Sequence, residues 1–307
     1  MDPHERLWRQ RRRPLRIPSP STAAPRSFRA RFRLAPVRAL VLFSALALAA
    51  CTSGTSGDPL PEGEASPETV ASRLGEAYAS GLGSLESFEV FAMGSSVRYE
   101  ATEDSARGRV FSLVRNPAAP PPTDPEAANL FVFYPPVGGY LAETLGDARL
   151  TGPVEREGVR SYVLETTDPT DVGFPVAEGT REHLARAYID AETLEVRELF
   201  HRFKADTLDI PFVQRVLYDD YREVAEGIRV PFRVRQRQEG LLQLIPQKVR
   251  VFRGGQLGFK EQQAAMLQPS ARRAAMRDIE RERRLLSEGV KELEFTVDSL
   301  RVSPLAR

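Results

Sequence analysis

The sequence predicts a mainly β protein of the α+β class, a single antiparallel sheet with helices packed over it. Three observations carry that expectation. Between Phe88 and Val302 apolar residues recur with period two in short runs separated by turn residues, the mark of strands with one dry and one wet face. Two stretches, after Ser66 and after Pro269, switch to helical spacing. Residues 67–307 are long enough to bury the core of one domain, and they contain no internal repeat.

The elements follow in order. Ser66-Pro67-Glu68-Thr69 reads as a helix start, with Ser66 as N-cap, Pro67 at the first helical position and Glu68 at the positive end of the dipole. Val70, Leu74 and Tyr78 then form one apolar stripe, and Gly81 or Gly83 ends the helix. Phe88, Val90 and Ala92 alternate with Glu89 and Phe91, and Val97 and Tyr99 follow after Gly94. Residues 109–115 and 130–134 read as further strands on either side of a proline-rich loop, 117–125, which cannot donate to a ladder.

Residues 154–167 predict a hairpin turning at Glu157-Gly158, and 184–203 another turning at Asp190-Ala191-Glu192-Thr193. Strand 212–224 pairs with 228–236, where Ile228, Val230, Phe232 and Val234 face the core and Arg229, Pro231, Arg233 and Arg235 face outward. Residues 248–252 read as one more strand and 291–302 as the last, in which Leu293, Phe295 and Val297 share a face. Between them lies a helical insert near 256–288. Its clearest part, 269–288, carries Ala275 or Met276, Ile279 and Leu286 as a narrow stripe and stops at Gly289. That helix reads either as a lid or membrane-surface helix, or as a solvated helix held on the sheet by its stripe. Asp278, Glu280, Glu282 and Glu288 dilute its positive charge and favour the second.

The N-terminal region is of another kind. Arg38, an apolar run over residues 39–50 and small residues before Cys51 have the parts of an export signal, and the run is too short for a permanent membrane span. Leu48, Ala49, Ala50 and Cys51 resemble the lipobox of a bacterial lipoprotein precursor. The resemblance implies that 1–50 is a signal peptide, that Cys51 accepts lipid, and that 51–66 is a flexible tether. The stretch before Ala39 is long for such a signal, so translation from Val37 is a second expectation. Arg11-Arg12-Arg13 lies far from the apolar run, which argues against twin-arginine export. Residues 51–307 hold 32 Lys and Arg against 40 Asp and Glu, a net −8, which argues against a nucleic-acid partner. An acylated Cys51 leaves no thiol for a disulfide, since it is the only cysteine.

Catalytic signatures are sparse. His183 and His201 have no ligand partner at metal spacing, and with His4 they are the only histidines. No Gly-x-Ser-x-Gly elbow nominates a serine, and no glycine-rich loop opens a helix after a strand. Asp206 with Asp209, and Asp219 with Asp220, are possible carboxylate pairs, but adjacent strand residues point to opposite faces. The expectation is therefore a protein that is not an enzyme and uses no cofactor or metal.

Three segments carry a further resemblance: Leu82-Gly83-Ser84-Leu85-Glu86-Ser87-Phe88-Glu89-Val90, Tyr188-Ile189-Asp190-Ala191-Glu192-Thr193-Leu194-Glu195-Val196, and Asp220-Tyr221-Arg222-Glu223-Val224 leading into Gly227-Ile228-Arg229-Val230-Pro231-Phe232. With the order helix, glycine turn, meander, they resemble the LolA and LolB family of outer-membrane lipoprotein-sorting proteins over residues 66–303. That resemblance implies a curved incomplete β-barrel with covering helices, and an apolar ligand such as the acyl chain of a lipid or lipoprotein held in its concavity. Phe88, Val90, Ile228, Val230, Phe232, Leu293 and Phe295 are the expected lining, or else a closed core. The alternative function is an envelope interaction or sensor lipoprotein that docks a protein through Arg229, Arg233, Arg235 and Arg237. Thr52 after the cysteine favours the outer membrane by resemblance to the usual sorting rule, with the domain facing the periplasm as a monomer.

Overall fold

In the computed structural model, which describes residues 65–104, 108–136 and 138–304, ten antiparallel strands form one open sheet. They are β1 (Leu85–Ala92), β2 (Ser95–Asp104), β3 (Gly108–Arg115), β4 (Arg149–Arg156), β5 (Val159–Thr166), β6 (Thr180–Asp190), β7 (Val196–Ala205), β8 (Pro211–Ala225), β9 (Ile228–Glu239) and β10 (Lys291–Pro304). The spatial order is β3-β2-β1-β10-β9-β8-β7-β6-β5-β4. β10 therefore sits in the middle of the sheet, pairing with β1 on one side and β9 on the other.

Local chemistry sets the tight connections. Met93 and Gly94 both have positive φ (53° and 70°), as do Glu157 and Gly158 (51° and 79°), the conformation of a two-residue turn that matches strand twist. Helix α1 (Pro67–Ser80) starts as expected: the Ser66 hydroxyl accepts the Thr69 amide at 3.1 Å, and Val70, Leu74 and Tyr78 are buried. A short helix that the sequence did not mark, α2 (Gly138–Thr144), packs on α1, where Gly75 leaves 3.0 Å to the Ala142 methyl for any added Cβ.

Two expected strands are helices. Of residues 130–134, all but Tyr134, which caps its end, fall in a 3-10 helix, Ala127–Phe133, opened by Asp124, whose carboxylate accepts the Ala127 amide at 3.0 Å. The run is short and apolar on every side, so its periodicity cannot separate a strand from a buried helix. Residues 248–252 begin helix α3 (Gln247–Ala265), although Val249 and Val251 alternate with Lys248 and Arg250 as a strand would. β9 has no free edge to receive them, because β8 and β10 occupy both. Helix α4 (Pro269–Glu288) does end at Gly289, which is left-handed at φ 68°. Its apolar stripe packs against α3 rather than the sheet: Leu257 and Ala264 meet Ile279, Ala275 and Leu286 in a small core of their own. The helical insert is thus a hairpin that begins at 247, ahead of the expected 256.

The main core lies on one face of the sheet under α1, α2 and the 3-10 helix. Its centre is aromatic. Phe88 stacks on Tyr99 at 4.8 Å, Phe131 meets Phe295 at 5.0 Å, and Tyr134 lies 5.8 Å from Phe295. In β8, Asp220 is left-handed (φ 55°) with the β8–β9 register kept across it; Tyr218 is buried in this core and Tyr221 packs against it. Their hydroxyls donate to the carbonyls of Phe133 (2.7 Å) and Val196 (2.5 Å).

Candidate functional site

The seven residues expected to line a concavity are brought together, because the insertion of β10 between β1 and β9 joins Phe88 and Val90 to Leu293 and Phe295 and these to Ile228, Val230 and Phe232. They are packed in the core, and Leu293 and Phe295 also border a groove beside α4. Their exposures run from 0% to 8%, and the side chains of α1 and of the 3-10 helix fill the volume over them. One polar group is stranded here. The Tyr134 hydroxyl is buried beside Phe88, Tyr99 and Phe295 and makes no hydrogen bond among the described residues, and burial pushes its pKa up.

The outward arginines are real but neutralised. Arg229 pairs with Glu195 (2.8 Å), Arg233 grips both oxygens of Glu294 (3.0 Å each), and Arg235 pairs with Asp219 (2.6 Å). Arg237 bonds Glu239 (2.7 Å) and Glu292 (3.1 Å), and Glu292 is shared with Arg284 of α4. Between α4 and this outer face runs a groove of about 1190 Å³, lined by eight arginines and seven carboxylates, so its charge is nearly balanced. Arg281 closes one part of it by reaching Asp124 at 2.7 Å. Further along the outer face, Val163, Tyr188 and Phe200 form a small apolar patch, roofed by Arg156 over Tyr188 and by Arg186 and Arg215 over Phe200. Glu198 sits under that roof. Burial raises its pKa, while Arg156 at 3.0 Å and Arg215 at 3.8 Å pull it back down.

The two histidines, on neighbouring strands, meet. Nδ1 of His183 lies 3.1 Å from Nε2 of His201, a distance that requires one ring to donate and the other to accept. A left-handed Glu182 (φ 53°) lies at the break in the β6–β7 register between Arg181 and Leu184, and the His183 ring stacks on both His201 (5.3 Å) and Phe203 (6.1 Å). Phe174 and Phe203 flank the His201 ring at 5.3 and 4.9 Å, and burial lowers its pKa to about 4, with the charge of His183 adding to the effect. The pair was not legible in the sequence: a turn at 190–193 pairs residue 185 with 198, whereas the observed loop and two register shifts pair Ala185 with His201. No group of three His, Cys, Asp or Glu suited to a metal occurs among the described residues. Asp219 and Asp220 go to separate partners, Arg235 and Arg222, and Asp209 pairs with Lys204. Leu48, Ala49, Ala50 and Cys51 lie outside the described residues.

Comparison with protein-family models, with curated proteins and with solved structures finds no match for this chain.

Proposed function

We propose that this is a bacterial envelope lipoprotein, tethered through Cys51, that acts through its surface by docking a protein partner rather than by carrying a ligand inside. One observation carries the choice: the seven residues that would line a lipid cavity are 0–8% exposed in a packed core. Ten open antiparallel strands with helices over one face are consistent with a LolA/LolB-like half-barrel, and the sequence segments that resemble that family support the same reading. The groove beside α4 offers the contact surface, with Arg277 exposed in its wall and free of any ion-pair partner among the described residues. Mixed charge of both signs sets specificity and encounter rate more than raw affinity.

The test is crosslinking in cells from a photoreactive residue at position 277. Recovery of one stoichiometric protein, with a purified domain free of lipid in native mass spectrometry, supports docking. The precursor and mature masses report separately on Cys51: a chain that keeps residues 1–50 and gains no acyl mass ends the lipoprotein reading.

A second reading, an apolar ligand in the concavity, has one observation in its favour. The orphaned Tyr134 hydroxyl marks a place where a polar head among apolar walls would find a hydrogen bond. Such a ligand has to displace the 3-10 helix Ala127–Phe133. Lipid that copurifies with the protein, or a fluorescent fatty acid displaced by Tyr134→Leu, favours this reading over docking.

A further inference from the structure

The α3–α4 hairpin departs from the rest of the molecule in two independent ways. Of twelve exposed large apolar side chains among the described residues, eight fall between Leu244 and Met276, and Val251, Phe252, Phe259 and Met266 are each more than 60% exposed. The helix geometry explains why. Leu257 and Ala264 mark the seam of α3 against α4. At about 100° per residue, Phe252, Phe259 and Met266 fall roughly opposite Leu257, with Gly255 between the phenylalanines and nothing within 4 Å of the place its Cβ would occupy. Such a face is the reverse of what water selects, and nothing among the described residues covers it.

Charge is the second departure. Residues 247–288 carry ten Lys and Arg against five Asp and Glu, a net +5, while the remainder of 51–307 carries 22 against 35, a net −13. Several of these cations are not tied up. Lys248, Arg272 and Arg273 are exposed and have no ion-pair partner among the described residues, unlike Arg253 and Lys260, which share Glu282. Arg272 and Arg273 stand just beyond the apolar tip Met266-Leu267.

We infer that the outer face of α3 and the hairpin tip form a membrane-docking surface that lies on an anionic phospholipid bilayer. Phe252, Phe259 and Met266 enter the boundary between headgroups and acyl chains, and the unpaired cations meet lipid phosphates. Charge decides for this occupant against a symmetric dimer through the hairpins, because two hairpins at +5 repel. The surface stands apart from acylation at Cys51. It orients the domain, whereas a lipid anchor alone leaves it free to tumble on its tether.

The experiment uses the full chain with Cys51→Ser, so that no acyl group contributes, and with Phe259→Cys carrying an environment-sensitive dye. A second preparation carries the dye at Ile210→Cys, an exposed position between β7 and β8. Vesicles of phosphatidylglycerol with phosphatidylcholine are compared with pure phosphatidylcholine. The expected result is a blue shift and protection from an aqueous quencher at 259 on the anionic vesicles alone, with little change at 210. Arg272→Glu with Arg273→Glu weakens that binding more than about tenfold, as does raised salt. Circular dichroism confirms that each variant folds, and Phe252→Cys serves as the label site if the first does not. Full quenching at 259 with vesicles present overturns the inference. So do equal shifts at both labels, a shift without vesicles that grows with protein concentration, or indifference to charge reversal.

Discussion

The hydroxyl of Tyr218 donates to the backbone carbonyl of Phe133 at 2.7 Å across 85 residues of sequence, tying the bulged strand β8 to the 3-10 helix that fills the sheet. Tyr99 does the same for Phe131 at 2.9 Å. Two phenols thus satisfy the carbonyls of a segment that takes no place in the ladder. Tyr218→Phe leaves a buried carbonyl unpaired, and urea unfolding should show a loss of about 1–3 kcal/mol. A change below about 0.3 kcal/mol would mean that water already serves that carbonyl.

Stability should fall on mild acidification because of His201. The folded state holds its pKa near 4, mainly by burial and secondly by the charge of His183, against an unfolded value near 6.5. The unfolded chain therefore binds the proton first, and folding free energy is lost as pH drops from about 6.5 to about 4, by about 3 kcal/mol in all. His201→Phe, flanked by Phe174 and Phe203, should flatten that slope. Denaturation midpoints at pH 7 and pH 5 in the two proteins check it, and parallel slopes would refute it.

Asp190 titrates in the window below. Burial raises its pKa, but Arg197 and the amides of Glu192 and Thr193 more than offset this and hold it below the usual carboxylate value. Its contribution is present above the unfolded pKa of about 3.9 and vanishes as pH falls through the lower folded value. Asp190→Ala should therefore cost about 1–3 kcal/mol at pH 7 and progressively less below pH 4, read from the same titrated unfolding curves.

Gly289→Ala tests the joint between the hairpin and the sheet. The residue is left-handed, and an added Cβ would meet the Leu242 amide nitrogen at 2.4 Å. The backbone cost alone is about 1 kcal/mol, and the clash adds to it. Hydrogen exchange should show α3 and α4 opening before β8 and β9. A variant with wild-type exchange in the hairpin would show that Leu242 yields freely.

Arg233→Ala should change stability by less than about 1 kcal/mol despite its two 3.0 Å bonds to Glu294, because both side chains are largely exposed and water competes for them. Thermal unfolding at low and high salt checks this. A larger loss would mean that the outward pairs act as one network with Arg235 and Asp219.

Much of the sheet was legible because period-two alternation and turn residues are local signals. Ser66 as a cap, Gly289 as a stop and the hairpins at Glu157-Gly158 and Asp190-Thr193 all stand as read from the sequence. The misreadings share a cause. Residues 130–134 and 248–252 are short runs whose local pattern fits two states, and the choice was made by what the sheet had room for.

The sequence by itself determined most of the strands, their inward and outward faces, and a core of Phe88, Val90, Val230 and Phe295, because burial of alternate residues follows from composition along each strand. Only the tertiary structure decided that this core is filled. The chain end enters as β10 between β1 and β9, and the 3-10 helix then closes over the aromatic centre, contacts between residues far apart in sequence that no local periodicity encodes. The same holds for the hairpin. The apolar residues of α3 look like core when read along the chain, and only the packing of Leu257 and Ala264 on Ile279 turns Phe252 and Phe259 out to the solvent.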